Sequence, residues 1–116
     1  MKRLKSGTIG IDQGSQVLFS DFEDGGAMWT GEGTREKRVA VRFSEPFASA
    51  PAVQVAMSMW DLDQKTNPRA DICAVEISAT GFVILFQTWA DTRVARVRAD
   101  WTAIGELPDE ERWEVD

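Results

Sequence analysis

The sequence contains no histidine, no tyrosine and a single cysteine among 116 residues. Without histidine there is no Ser-His-Asp or Cys-His arrangement, and the commonest general base and metal ligand are missing. The lone Cys73 rules out an intrachain disulfide. Its neighbours Ile72, Ala74 and Val75 mark it as a small buried apolar residue rather than a reactive thiol. No apolar run approaches the roughly 20 residues that a membrane-crossing helix needs, so no insertion in a membrane is expected. The basic start MKRLKSG leads into no apolar signal region, which predicts a cytoplasmic chain or one released by a non-Sec route. Basic residues are in the minority, 13 against 19 acidic, for a net charge of −6. That balance argues against nucleic acid as the main partner, because binding there needs a basic face. Arg93, Arg96 and Arg98 lie close together, but a solvated or ion-paired strand face explains them.

Helical periodicity is also missing, and no glycine-rich phosphate loop precedes a helix. Asp61 and Asp63 open like a calcium loop, yet Lys65 takes the next ligand position and no glutamate closes it. None of the 19 carboxylates sits in an apolar setting that would raise its pKa for glycoside hydrolysis. An enzyme is therefore not expected, and no cofactor or metal is implied.

What the chain does have is alternation. Val39, Val41 and Phe43 face one way against Arg38, Ala40 and Arg42, and Val53, Val55, Met57 and Met59 repeat the pattern before Trp60. Ile72–Ile77 reads as a third strand. Phe82–Trp89 carries apolar residues on both faces, as a central strand covered on both sides would. Ala90-Asp91-Thr92 reads as a hairpin turn into a partner strand with Ala95, Val97, Ala99 and Trp101 inward. Ser6–Ile11 and Val17–Phe19 read as two further short pieces, the first an edge strand. Ser20–Gly33 reads as a long loop tacked down by Phe22, Met28 and Trp29. Five to seven short strands at this spacing predict a single all-β domain, an antiparallel β-sandwich over residues 1–106, followed by an acidic tail at 107–116. The tail has room for a helical turn at Pro108–Arg112.

Five tryptophans are many for this length. Trp101 has core parity, while Trp29, Trp60 and Trp89 sit where strands or loops meet polar sequence. An exposed indole beside carboxylates and a guanidinium suits a sugar, whose C–H face packs on the ring while its hydroxyls need directional partners. Ser6-Gly7, Thr34-Arg35-Glu36, Phe43 with Pro46 and Phe47, and Pro51 with Val53 form an ordered set. It continues through Asp61, Asp63, Asn67 and Arg69, then Thr80-Gly81-Phe82, and ends at Thr88, Trp89, Asp91 and Thr92. Taken together, from Leu4 to Ile104, this pattern resembles the H-type lectin domain, the family of the snail agglutinins and of the C-terminal domain of slime-mould discoidins.

The resemblance implies a six-stranded antiparallel sandwich that assembles as a homotrimer. It implies clefts between neighbouring subunits that bind galactose-type sugars, typically N-acetylgalactosamine, on glycans or polysaccharides. The family's sugar-binding arginine falls on Arg69, its stacking tryptophan on Trp89 and its loop acid on Glu32; Asp91 sits beside them at the turn. Ala90 stands where snail members have histidine, and Ala95 where a tyrosine is expected, which points to a different or larger glycan. Ile11 and Phe86 stand where family cysteines would be, so disulfide-linked pairing of trimers is ruled out. The same absences also fit a structural reading, a spike or fibre subunit of a phage-like particle that adsorbs to cell surfaces.

Overall fold

The computed structural model describes residues 1–5 and 7–109. Ser6, Trp113 and the rest of the tail from residue 110 lie outside them, as does most of the helical turn expected at Pro108–Arg112. Among the described residues, six strands form two antiparallel sheets. In chain order they are β1 (Ile9–Ser20), β2 (Arg35–Arg42), β3 (Ala52–Leu62), β4 (Asp71–Val75), β5 (Gly81–Thr88) and β6 (Val94–Glu106). The first sheet has the order β1-β6-β3, and the second the order β2-β5-β4. Two four-residue helices, α1 (Asp21–Asp24) and α2 (Ala27–Thr30), sit inside the stretch expected to be an irregular loop.

The core fills the space between the two central strands. Phe82, Ile84 and Phe86 of β5 face Val97, Ala99, Trp101 and Ala103 of β6, all buried. Alternation does this directly, since every second residue of each strand must point to the shared interior. Phe43, Phe47, Phe82 and Trp101 form an aromatic cluster with ring centroids 5.0 to 6.0 Å apart. β5 is central, as expected, but within one chain only one of its faces is covered. Val83 and Leu85 on the outer face remain half-buried, beside Cys73 and Val75 of β4, which pair with Leu85 and Val83. Cys73 is thus an outward-facing, half-exposed residue rather than a core one.

Two further expectations are corrected. The connection between β5 and β6 is not a hairpin, because the strands belong to different sheets and Trp89–Arg93 arches across the sandwich. Both strands carry their large residues toward one core, so they stack face to face instead of pairing edge to edge. The two short N-terminal pieces are one strand, β1, paired with β6 from Ile9↔Glu106 to Ser20↔Arg96. Its inward-facing positions Gly10, Asp12, Gly14 and Gln16 are small or polar, which hides the strand from a hydrophobicity reading. The reason is a bulky neighbour. The Trp101 indole lies flat over Gly14, where a Cβ would fall 2.7 Å from Nε1 and 2.8 Å from Cε2. Asp12 instead accepts hydrogen bonds from Ser44, at 2.8 Å from its N–H and 3.1 Å from its hydroxyl, tying the β2–β3 connection to this edge.

Gly14→Val is expected to cost about 1–3 kcal/mol through overpacking against the Trp101 ring. Chemical denaturation followed by tryptophan fluorescence checks this.

Candidate carbohydrate-binding site

Chain connectivity gathers three loops at one end of the sandwich. The segments 21–34, 63–70 and 89–93 each link a strand of one sheet to a strand of the other at that end. The candidate residues are spread across all three, with Glu32 on the first, Arg69 on the second, and Trp89 and Asp91 on the third.

Arg35, the first residue of β2, joins the first loop to the third. Its Nε donates to the Gly33 carbonyl at 2.9 Å. Its Nη1 donates to Met28 at 3.2 Å and Ala27 at 3.4 Å. Its Nη2 donates to Thr92 at 2.7 Å and Ala90 at 3.3 Å. All five donors of the guanidinium therefore end on backbone carbonyls, and the Gly33 N–H adds a bond to Ala90 O at 2.9 Å. Met28, 4 % exposed, anchors the same loop into the core, whereas Phe22 stays exposed and packs edge-on against Trp29. Sequence reasoning placed Arg35 in the Thr34-Arg35-Glu36 motif but gave it no role.

Two buried threonines fix the second loop to the third. Thr88 donates to the Arg69 carbonyl at 2.6 Å. Thr92 donates to the Asn67 carbonyl and accepts from the Arg69 N–H at 3.2 Å. Both are fully buried and satisfied, so they hold the Arg69 backbone on each side. The Arg69 Nη1 then reaches Asp91 Oδ1 at 2.6 Å, and the Asn67 N–H lies 3.5 Å from Asp91 Oδ2. Partial burial raises the Asp91 pKa. The hydrogen bond from Arg69, those from the Asn67 and Asp91 backbones, and the charge of Arg69 outweigh it, so the carboxyl ends below its ordinary 3.8. Arg69 is held by an ionised partner, with the rest of its guanidinium unbonded among the described residues.

Trp89 follows β5 directly and is 41 % exposed. The next residue, Ala90, has φ of 60°, a left-handed conformation that turns the chain away and leaves the indole at the surface. Glu32 is exposed and forms no hydrogen bond or ion pair among the described residues; the adjoining Gly33 attaches its loop to Ala90. The structure thus pairs Arg69 with Asp91 and sets Trp89 two residues away, while Glu32 is linked to them only through its loop. Ala95, at 5 % exposure, faces the interior, so it presents nothing to a surface ligand. Hollows of about 270 and 370 Å³ lie at the opposite end, lined respectively by Lys2, Pro51 and Glu106 and by Arg42, Thr80 and Gly81.

Residues 38–104 match the family model of the H-type lectin domain. The chain belongs to the H-type lectin domain family. Lectin domains of this family bind carbohydrate without catalysis. The chain is 60 % identical over 109 residues to "ATP synthase subunits region ORF 7" of Fuscovulum blasticum, covering 94 % of this chain and 95 % of that protein. It is 36 % identical over 81 residues to a discoidin-1 polypeptide of Dictyostelium discoideum, covering 69 % of this chain and 32 % of that one. Among solved structures, recombinant discoidin II of Dictyostelium discoideum superposes with a TM-score of 0.74 at 22 % identity, over 92 % of this chain and 41 % of that chain. That superposition establishes the fold, and the chain spans about a third of the discoidin-1 polypeptide.

Replacing Arg35 by Ala is expected to lower stability by about 2–3 kcal/mol and to raise hydrogen exchange in both attached loops. Because the folded pKa of Asp91 is depressed, its stabilising contribution is complete above 3.8 and disappears as pH falls through the lower folded value. The stability gap between wild type and Asp91→Asn should hold constant from about pH 8 to about pH 5 and close in more acidic solution. Denaturation midpoints across that range decide it.

Proposed function

We propose that this domain recognises galactose- or N-acetylgalactosamine-type residues of cell-surface glycans through clefts between subunits of a homotrimer. The observation that carries this reading is the loop end itself: a guanidinium oriented by Asp91, with an exposed indole two residues before Asp91 in the same loop, on loops fixed by Arg35, Thr88 and Thr92. Arg69 would direct its unbonded N–H groups at sugar hydroxyls, and Glu32 would accept from hydroxyls with its unengaged carboxylate. Trp89 would present the apolar wall for the sugar's C–H face. Asp91 serves chiefly to aim Arg69. Ala90 leaves room beside the indole, which suits a sugar with a substituent or a further residue at that place.

The trimer is supported by the uncovered face of β5. Val83 and Leu85, with Cys73 and Val75, form a half-exposed apolar strip on a strand whose sequence is apolar on both sides. A neighbouring copy covering it would bring loop ends together and turn each open surface into a cleft. Three clefts on one rigid body would then compound weak single contacts by about 10² or more on a repetitive glycan.

Arg69→Ala and Trp89→Ala should each abolish binding on a glycan array while leaving the thermal unfolding curve within a few degrees of wild type. Sedimentation should give three times the 12.9 kDa chain mass. Failure of the wild-type protein to bind any glycan or bacterial polysaccharide, or a monomeric mass, overturns the proposal.

A further inference from the structure

The outer face of the β1-β6-β3 sheet turns apolar at the end away from the three loops. There Ile11, Ile104 and Ala52 stand in one row across the three strands, all exposed, and Gln13, Thr102 and Gln54 form the next row. Ile9 extends the patch along β1. Ile11, at 68 % exposure, is after Met1 the most exposed large hydrophobic among the described residues. Leu4, also exposed, lines a hollow of about 270 Å³ with Ile104 and Pro51, and Lys2, Arg3 and Lys5 stand on its wall. This basic arm is tied down. The Lys5 N–H donates to Glu106 Oε1, and Lys2 Nζ donates to the Ala50 carbonyl. None of the three cations forms an ion pair among the described residues. An aliphatic patch bordered by positioned cations calls for a cover that is apolar at its centre and acidic around it.

The chain supplies such a segment at this place. β6 ends at Glu106, opposite Ile9, and Leu107 packs over Gly10 while its N–H donates to the Thr8 carbonyl at 2.9 Å. Pro108 has no N–H with which to continue the ladder, so the chain leaves the sheet next to the patch. Residues 110–116 lie outside the described residues. Their sequence, Glu-Glu-Arg-Trp-Glu-Val-Asp, carries four carboxylates against one arginine and sets Trp113 and Val115 among them. Four residues of extended chain separate Trp113 from Asp109, a span of up to about 13 Å. Ile104 lies only about 7 Å back along β6 from Glu106. The reach is sufficient.

We infer that residues 110–116 fold back over this patch in their own chain, with Trp113 on the isoleucines and the surrounding carboxylates against Lys2, Arg3 and Lys5. A second copy of the protein is a poorer occupant, because each copy brings a net charge of −6 and arrives only at its bulk concentration. A tethered segment meets the patch at an effective concentration in the millimolar range. Closed in this way, the sheet loses its main outward apolar patch, which discourages copies from stacking through it. The inference does not depend on what the loop end binds.

Methyl NMR of the isoleucine side chains in the full chain tests this, comparing wild type with Trp113→Ala. Loss of the indole ring current should shift the Ile11 and Ile104 methyl resonances and leave those of buried Ile84 and of Ile72 unmoved, which also reports an intact fold. Replacing Lys2, Arg3 and Lys5 together by glutamate should produce the same shifts with Trp113 present. Isotope-labelled chains ending at Asp109, co-refolded with unlabelled full-length protein, should keep the uncovered shifts. Ile11 and Ile104 resonances indifferent to Trp113→Ala overturn the inference, as does a charge-reversed arm that leaves them at their wild-type positions. Full-length shifts appearing in the labelled, shortened chains overturn it too, by assigning the patch to a neighbouring copy's tail.

Discussion

The loop end depends on one guanidinium. Three chain crossings between sheets meet there, and crossings leave carbonyls that no strand ladder can satisfy. Arg35 answers five of them from the first position of β2, drawing on both the helical segment before it and the arch between β5 and β6. A lysine at this position would bring three donors from a point charge, too few and too narrow for carbonyls spread over two loops. Because the donors are rooted in a strand, the loops inherit the rigidity of the sheet. A binding surface made of loops gains from this, since less mobility has to be lost when a ligand arrives.

Above that clamp the polar groups are arranged in tiers. Buried Thr88 and Thr92 hold the Arg69 backbone, Asp91 holds its head group, and only the outermost atoms are left for solvent or a ligand. A chain with net charge −6 thus keeps a directed cation at one end without a basic patch. Selectivity in such a site comes from direction rather than from field strength, which is appropriate for hydroxylated ligands and poorly suited to polyanions.

Strands with ordinary alternation were legible from the sequence: β2, β3 as far as Met57, β5 and the inward face of β6 match their periodicity, a bulge then takes Met59 out of the inward set, and Trp101 lies in the core as its parity requires. β1 was not, because Gly10 and Gly14 make room for Leu107 and Trp101, residues some ninety positions away that a local window cannot see. The β5–β6 connection was misread for a similar reason. Ala90-Asp91-Thr92 is chemically suited to a hairpin and to an arch alike, and what separates them is the shared core together with Arg35. Among the candidate site residues, the aromatic and charged types at Trp89, Asp91 and Arg69 were legible as surface chemistry, but the supporting hydrogen bonds run to backbone atoms, which leave no trace in residue identity.

The left-handed backbone at Ala90 carries a consequence for which residues this position can hold. That conformation is tolerated by glycine and by a short set of polar residues, with asparagine, aspartate and histidine several-fold enriched there, while β-branched side chains are excluded. The residue adjoining the indole is thereby confined to a palette that consists mostly of hydrogen-bonding groups. Sequence drift at this one position can exchange a silent methyl for a donor or an acceptor without redrawing the loop. Alanine is the setting here, and the strain at a single torsion is what keeps the remaining settings chemically useful.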